Sequence, residues 1–291
     1  MKRFALIVTL CAAWPVTSSW AQLEPPNQLG VAMGHLHLVV KDVEANKRFF
    51  ALFGGTPLKV DDTEAMKFPG VLIFLTPGHP APLGKLRTQV FCGCPDDGLE
   101  MSMVNHVGFN VKDYDEAYEK FKAAGYRIED FHNAKGRSFF FSPDGLMFEV
   151  AQSRSVTATA GELHLHTFVN DMPPKDRDHQ VVPWEMFLWY QKMFGATLMS
   201  GGLGSGLGDD LPGVRLRISQ TRLTVEPTRG HVLDHIGFEV KNLEAFCKQL
   251  EANGVKLDKP YSTTRHHAFA SAELTDPWGT SIELTEGLNK F

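Results

Sequence analysis

One strand–helix–strands pattern recurs four times in this chain of 291 residues, and every copy opens on a histidine: His35, His106, His164 and His235. Seven residues after each stands an Asp or Asn (Asp42, Asp113, Asp171, Asn242), where a strand is expected to give way to a helix. Copies one and three share Pro-Gly-Val, at Pro69-Gly70-Val71 and Pro212-Gly213-Val214. Copies two and four share His-x-Gly-Phe, and each ends on a Glu (Glu149, Glu283) six residues after a turn proline. The order is A-B-A-B. A repeat constrains the fold more than any single motif, because small units bury their apolar faces by packing on one another.

The elements inside each copy follow from local pattern. His35-Leu36-His37-Leu38-Val39-Val40 alternates as a strand does, and residues 43–52 read as a helix closed by Gly54-Gly55. The second helix carries Ala117, Tyr118, Phe121 and Ala124 at three- and four-residue spacing and ends at Gly125. A third helix is expected over 184–194, and a fourth contains Phe246 and Leu250 and ends at Gly254. Ser142-Pro143-Asp144-Gly145 and Asp276-Pro277-Trp278-Gly279 are turns before the last strands of the B copies. Residues 151–161 read as the linker between halves. The Gly-rich loop 200–210 lacks phosphate-loop spacing and reads as a lid or a linker.

The start of the chain reads as a signal peptide. Lys2 and Arg3 precede an apolar run over 4–13, and Ser19-Trp20-Ala21 offers a small-x-small cleavage signal. Residues 1–21 are thus expected to be removed, and the mature chain to work outside the cytoplasm, as in a periplasm. A net charge of -5 argues against nucleic acid or an anionic membrane as partner. No segment is apolar for long enough to span a bilayer. Cys92, Cys94 and Cys247 are expected to be ordinary core or loop residues.

The repeat also suggests chemistry. Two imidazoles and a carboxylate make a facial metal site with open positions. Taken in chain order, the halves offer His164, His235 and Glu283 as the favoured set, and His35, His106 and Glu149 as a weaker one. Glu283 lies between Ile282 and Leu284, so an apolar outer face leaves its carboxylate on the cavity side. His37 and His166 share a strand face with His35 and His164 and are expected to line the cavities. His166, His266 and His267 are the candidate catalytic groups, with His132 the counterpart of His266 in the first half.

These motifs resemble the vicinal oxygen chelate superfamily of glyoxalases, bleomycin-resistance proteins and extradiol dioxygenases. The resemblance rests on His-x-Gly-Phe-x-Val-x-Asp/Asn, on Phe53-Gly54 and Phe194-Gly195, and on Asp-Pro-Trp-Gly-x-x-Ile-Glu at 276–283. It covers about residues 33–287. It implies an α+β fold of four βαβββ modules paired into two curved half-barrel sheets, with module pairs at 33–153 and 162–287. It also implies a small-molecule substrate, a divalent metal (Fe(II) or Mn(II) favoured, Zn or Ni possible) and a monomer or homodimer. Glyoxalase-type relatives hold the metal with a carboxylate from each module, whereas Leu72-Ile73-Phe74 and Leu216-Arg217-Ile218 offer none here. The two-His, one-Glu set resembles the extradiol dioxygenases, although Glu273 stands where their catalytic Tyr is expected. A dioxygenase-like enzyme on a catechol-like or dicarbonyl molecule is therefore the first reading. A glyoxalase-type lyase or isomerase, and a non-catalytic ligand-binding or resistance protein, are the alternatives.

Overall fold

The computed structural model describes residues 23–82, 100–130, 135–169, 184–199, 208–221, 224–263 and 268–291. Module one comprises β1 (Val31–Val40), α1 (Val43–Leu52), β2 (Thr56–Val60), β3 (Thr63–Phe68) and β4 (Val71–Pro77). A short β5 (Glu100–Ser102) precedes module two: β6 (Val104–Val111), α2 (Tyr114–Ala123), β7 (Ile128–Asp130), β8 (Arg137–Phe141) and β9 (Met147–Gln152). Module three has β10 (Ala160–Val169), α3 (Trp184–Phe194), β11 (Thr197–Leu198), β12 (Gly208–Leu211) and β13 (Val214–Gln220). After β14 (Thr224–Glu226), which pairs with β5, module four has β15 (Leu233–Val240), α4 (Leu243–Ala252), β16 (Leu257–Ser262), β17 (Ala270–Thr275) and β18 (Ser281–Glu286).

The Asp after the leading strands of modules one and two is a helix cap, while Asp171 lies outside the described residues. Asp42 accepts from the Ala45 amide at 2.8 Å and Asp113 from the Glu116 amide at 3.0 Å, each satisfying an amide that the first helical turn leaves unpaired. At α4 the equivalent Asn242 is left-handed and makes no side-chain cap. The Glu286 carboxylate takes its place, accepting from the Asn242 and Leu243 amides. Gly54, Gly125, Gly195 and Gly254 end the helices with positive φ, which glycine adopts at little cost.

The α+β architecture of four modules in two mixed eight-stranded sheets is as expected, but the partnership of the modules is not. One sheet runs β16-β17-β18-β15-β1-β4-β3-β2 and joins module one to module four. The other runs β11-β12-β13-β10-β6-β9-β8-β7 and joins module two to module three. Neighbours within 33–153 and within 162–287 therefore do not share a sheet. The reason lies in two contacts. Residues 153–159 are a short connection that brings β10 back alongside β6 in antiparallel register, as short connections favour. Modules one and two meet instead through their helices, where Phe49 of α1 and Phe53 just after its end lie 5.2 and 4.4 Å from Phe121 of α2, measured between ring centroids. Phe194 of α3 packs likewise on Phe246 of α4 and on Phe238 of β15.

The helices thus lie between the two sheets in one continuous apolar core. Alternation along β1 and β4 puts Leu36, Leu38, Ile73 and Leu75 into that core. His35, His37, Leu72 and Phe74 take the opposite face of their sheet. There Phe74 and Leu72 join a smaller apolar cluster with Val60, Ala65 and Leu288. The buried Glu239 carboxylate fastens the C-terminal turn by accepting from the Gly287 and Leu288 amides at 2.7 and 3.0 Å. Among the described residues no helix is long and apolar enough to cross a membrane. Cys247 is a buried free thiol, while Cys92 and Cys94, the proposed signal peptide and most of the Gly-rich loop lie outside the described residues.

Candidate metal centre

Each sheet brings one histidine cluster together at its central strand pair. On β1 and β15 the register sets His35 opposite Gly237 and His37 opposite His235, while β18 sets Glu283 beside Gly237. On β10 and β6 it sets His164 opposite Gly108 and His166 opposite His106, while β9 sets Glu149 beside Gly108. The two sets expected from chain order are therefore redistributed. His35 joins His235 and Glu283, and His164 joins His106 and Glu149. The change of module partner is the cause.

The same registers explain the glycine of His-x-Gly-Phe. A Cβ at Gly237 would stand 2.0 Å from the His35 ring, and one at Gly108 would stand 1.8 Å from the His164 ring. Only a residue without a side chain lets the partner module's imidazole lie across its strand.

In the first cluster His35 Nε2 lies 3.0 Å and His235 Nε2 3.4 Å from Glu283 Oε2. His35 is wholly buried and His235 nearly so. His37 completes the group, its Nε2 tied to Thr76 Oγ1 at 2.7 Å and its ring centroid 4.5 Å from that of His235. His235 Nδ1 faces Asp234 Oδ1 at 2.7 Å. Asp234 can reach it because the pairing skips from His37–His235 to Leu38–Leu233, leaving Asp234 as the extra residue of a β-bulge, a device that re-aims side chains.

Burial opposes charge on His235, but the Asp234 and Glu283 carboxylates outweigh it and raise its pKa. Burial, followed by the neighbouring imidazoles His235 and His35, drives His37 down to about 3. Burial alone would raise Glu283; the His235 and His35 imidazoles beside it reverse that and hold it well below the ordinary carboxylate range. The cluster thus presents an ionised carboxylate and buried imidazole nitrogens in contact. His35 Nδ1, His35 Nε2 and His235 Nε2 make no well-formed hydrogen bond among the described residues. Buried nitrogens left so are costly unless a ligand satisfies them. Their separation from Glu283 matches that of adjacent ligands about 2.1 Å from one ion. These residues fit a divalent metal.

The second cluster shares the outline and differs in charge. His106 Nε2 lies 3.0 Å and His164 Nε2 3.5 Å from Glu149 Oε2, and His166 is tied to Ser219 Oγ at 2.7 Å. Asn105, again a bulge residue, replaces the aspartate behind the leading histidine, 2.8 Å from His106 Nδ1. Arg137 Nε lies 3.0 Å from Glu149 Oε1, and an Arg217 terminal nitrogen lies 3.9 Å from Oε2.

Sequence reasoning located His35, His37, His106, His164, His166, His235, Glu149 and Glu283 on cluster-bearing strands. It missed Asp234, Asn105, Arg137 and Arg217. Strict alternation points the residue before each histidine away from the cavity, and only a bulge could have revealed otherwise. His132, His266 and His267 lie outside the described residues.

A family model for the glyoxalase/bleomycin resistance protein/dioxygenase superfamily matches residues 32–150 and again 152–284. The chain belongs to this superfamily. Among solved structures it is similar to glyoxalase I from Zea mays, with 16% identity, 89% of this chain and 94% of that chain covered, and a TM-score of 0.62. It is also similar to a proposed dioxygenase from Bacillus subtilis, with 12% identity, 92% and 86% covered, and a TM-score of 0.59. At such identities the likeness concerns the fold. No curated protein matches the sequence.

Proposed function

We propose that His35, His235 and Glu283 hold one divalent metal ion, and that this superfamily member is an enzyme acting on a small molecule with adjacent oxygens, in the manner of an extradiol dioxygenase. The observation that carries this reading is that, among the described residues, no carboxylate takes the fourth ligand position at the first cluster. The approximate two-fold relating β1 to β15 carries Gly237 onto His37, and hence Glu283, its neighbour on β18, onto Phe74, the neighbour of His37 on β4. A glyoxalase-type set would place a carboxylate there. Phe74 instead packs edge-on to His35 at 5.0 Å. Two histidines and one carboxylate with open positions suit Fe(II), or Mn(II). The ion would supply Lewis acidity and a meeting point for substrate oxygens and O2.

The protein's own part is positioning. Asp234 accepts the Nδ1 proton of His235 and so presents the Nε2 lone pair, as carboxylate–histidine pairs behind metals do. His37, anchored by Thr76 and kept neutral by burial, offers one fixed hydrogen-bonding position beside a bound oxygen. Phe74 and Phe269, stacked at 6.4 Å, give the cavity face an apolar wall suited to an aromatic body. The test is oxygen uptake by the Fe(II)-supplemented full chain with catechol. The reading expects O2 consumption that stops in His235→Ala. Turnover of a vicinal dicarbonyl that continues without O2 would transfer the reading to a lyase or isomerase. Absence of metal binding, with no effect of His235→Ala, would end both enzyme readings.

A further inference from the structure

A cavity of about 610 Å³ lies where modules one, two and four meet, and no histidine or glutamate of either cluster lines it. Its volume falls within the range of small-molecule sites, about 300–1,000 Å³. Val104, Phe141, Leu146 and Leu233, all buried, give it an apolar wall. Two uncharged polar side chains share that wall, Ser102 and Asn105, each 2% exposed. Neither Ser102 Oγ nor Asn105 Nδ2 has a hydrogen-bond partner among the described residues. The other end of the Asn105 amide is occupied, its Oδ1 lying 2.8 Å from His106 Nδ1. Asp234, the matching bulge residue behind the first cluster, shows the contrast. Its Oδ1 faces His235 and its Oδ2 accepts from the Gly230 amide at 2.8 Å, so the chain itself satisfies both oxygens. At Asn105 and Ser102 it does not, and buried polar groups left so are costly unless a ligand pairs with them.

We propose that this cavity binds a small uncharged molecule with a carbonyl oxygen on an apolar body, the oxygen accepting from Ser102 Oγ and Asn105 Nδ2. With Oδ1 turned to His106, the Asn105 amide nitrogen keeps protons to donate, and the Ser102 hydroxyl can rotate to donate as well. Two donors match the two lone pairs of one carbonyl oxygen. Both donors are uncharged, so they offset the desolvation of a carbonyl but not that of a buried carboxylate. The ionisable residues of the wall do not alter that balance. Arg127 is paired with Glu129, and His231 Nδ1 faces the Ala81 carbonyl. Asp144 offsets the charge of Lys41, and its two oxygens accept from the Lys41 backbone amide and from Asn46.

The test titrates acetophenone into the full chain and follows it by saturation-transfer NMR, with benzoate as comparison. One saturable site is expected, with benzoate bound more weakly. Ser102→Ala should weaken acetophenone binding by about two- to tenfold, the scale of one hydrogen bond between uncharged groups. Asn105→Asp keeps an oxygen for His106 but turns the donor into a charged acceptor, and should weaken binding further. Val232→Trp, on the cavity wall, should block it. His164→Ala and His235→Ala, which alter the two clusters, should leave it unchanged. Thermal melting confirms that each variant is folded, and Ser102→Ala, the loss of a single oxygen, keeps the test decisive should a larger change unfold the chain. No acetophenone binding, tighter binding of benzoate, native affinity in Ser102→Ala, or loss of binding in His164→Ala or His235→Ala would overturn the proposal.

Discussion

Replacing Gly237 with alanine should disable the metal centre without touching any ligand. The new Cβ would stand 2.0 Å from His35 Cε1, where ordinary contact is 3.4–4 Å, so the ring must retreat by about 1.4 Å or more. The backbone can accept alanine, because Gly237 is not among the positive-φ residues. Overpacking of this kind costs about 1–3 kcal/mol, offset by the roughly 0.5–1 kcal/mol by which alanine is preferred to glycine in a strand. The metal-free protein should therefore stay folded with a modest loss of stability. Metal sites tolerate ligand errors of only about 0.2 Å, so His35 should cease to be a ligand. Loss of a ligand should exceed the 10–100-fold cost of losing an outer partner, giving at least about 100-fold weaker binding, or about 2.7 kcal/mol. Calorimetric titration with Mn(II), beside a denaturation curve of the metal-free protein, reads both quantities. Gly108→Ala, whose Cβ would strike His164 on the other sheet, is the internal control and should leave Mn(II) affinity unchanged. Native affinity in Gly237→Ala, or equal loss in both variants, would refute the reasoning.

Three further outcomes follow from named contacts. Asp234→Asn should lower metal affinity by about 10–100-fold in the same titration, because an amide behind His235 makes the imidazole a weaker donor. Phe53→Ala, at the junction of α1 with module two, should cost about 3–5 kcal/mol in urea denaturation, and a cost below about 1 kcal/mol would contradict the packing account. Asp209 is fully buried beside Gln191, and burial raises its pKa from 3.8 to about 6. Below the unfolded pKa both states are protonated and no penalty exists. Stability then falls as pH rises to about 6 and stays lowered above it, by on the order of 2–3 kcal/mol. Asp209→Asn should therefore raise the melting temperature at about pH 8 and not at about pH 4, and an equal effect at both would contradict the assignment.

Much of this architecture was legible because its signals are local. Asp42 and Asp113 cap helices, glycines close them, and Glu283 faces away from Ile282 and Leu284, all as pattern alone suggests. The partnership of modules was not legible, because both B copies carry the same His-x-Gly-Phe strand and either could lie beside either A strand. What separates the possibilities is the packing of Phe49 and Phe53 against Phe121 and the shortness of the 153–159 connection, which only three-dimensional arrangement weighs. The same limit hid Asp234 and Asn105, whose reach depends on bulges. It also hid Arg137 and Arg217, whose approach to Glu149 depends on strand register.

Anomalous diffraction from crystals of the Mn(II)-loaded chain tests the central assignment most directly. One peak is expected, in contact with His35, His235 and Glu283, and none near Glu149. A peak bound by His106, Glu149 and His166, or no peak on either sheet, would contradict it.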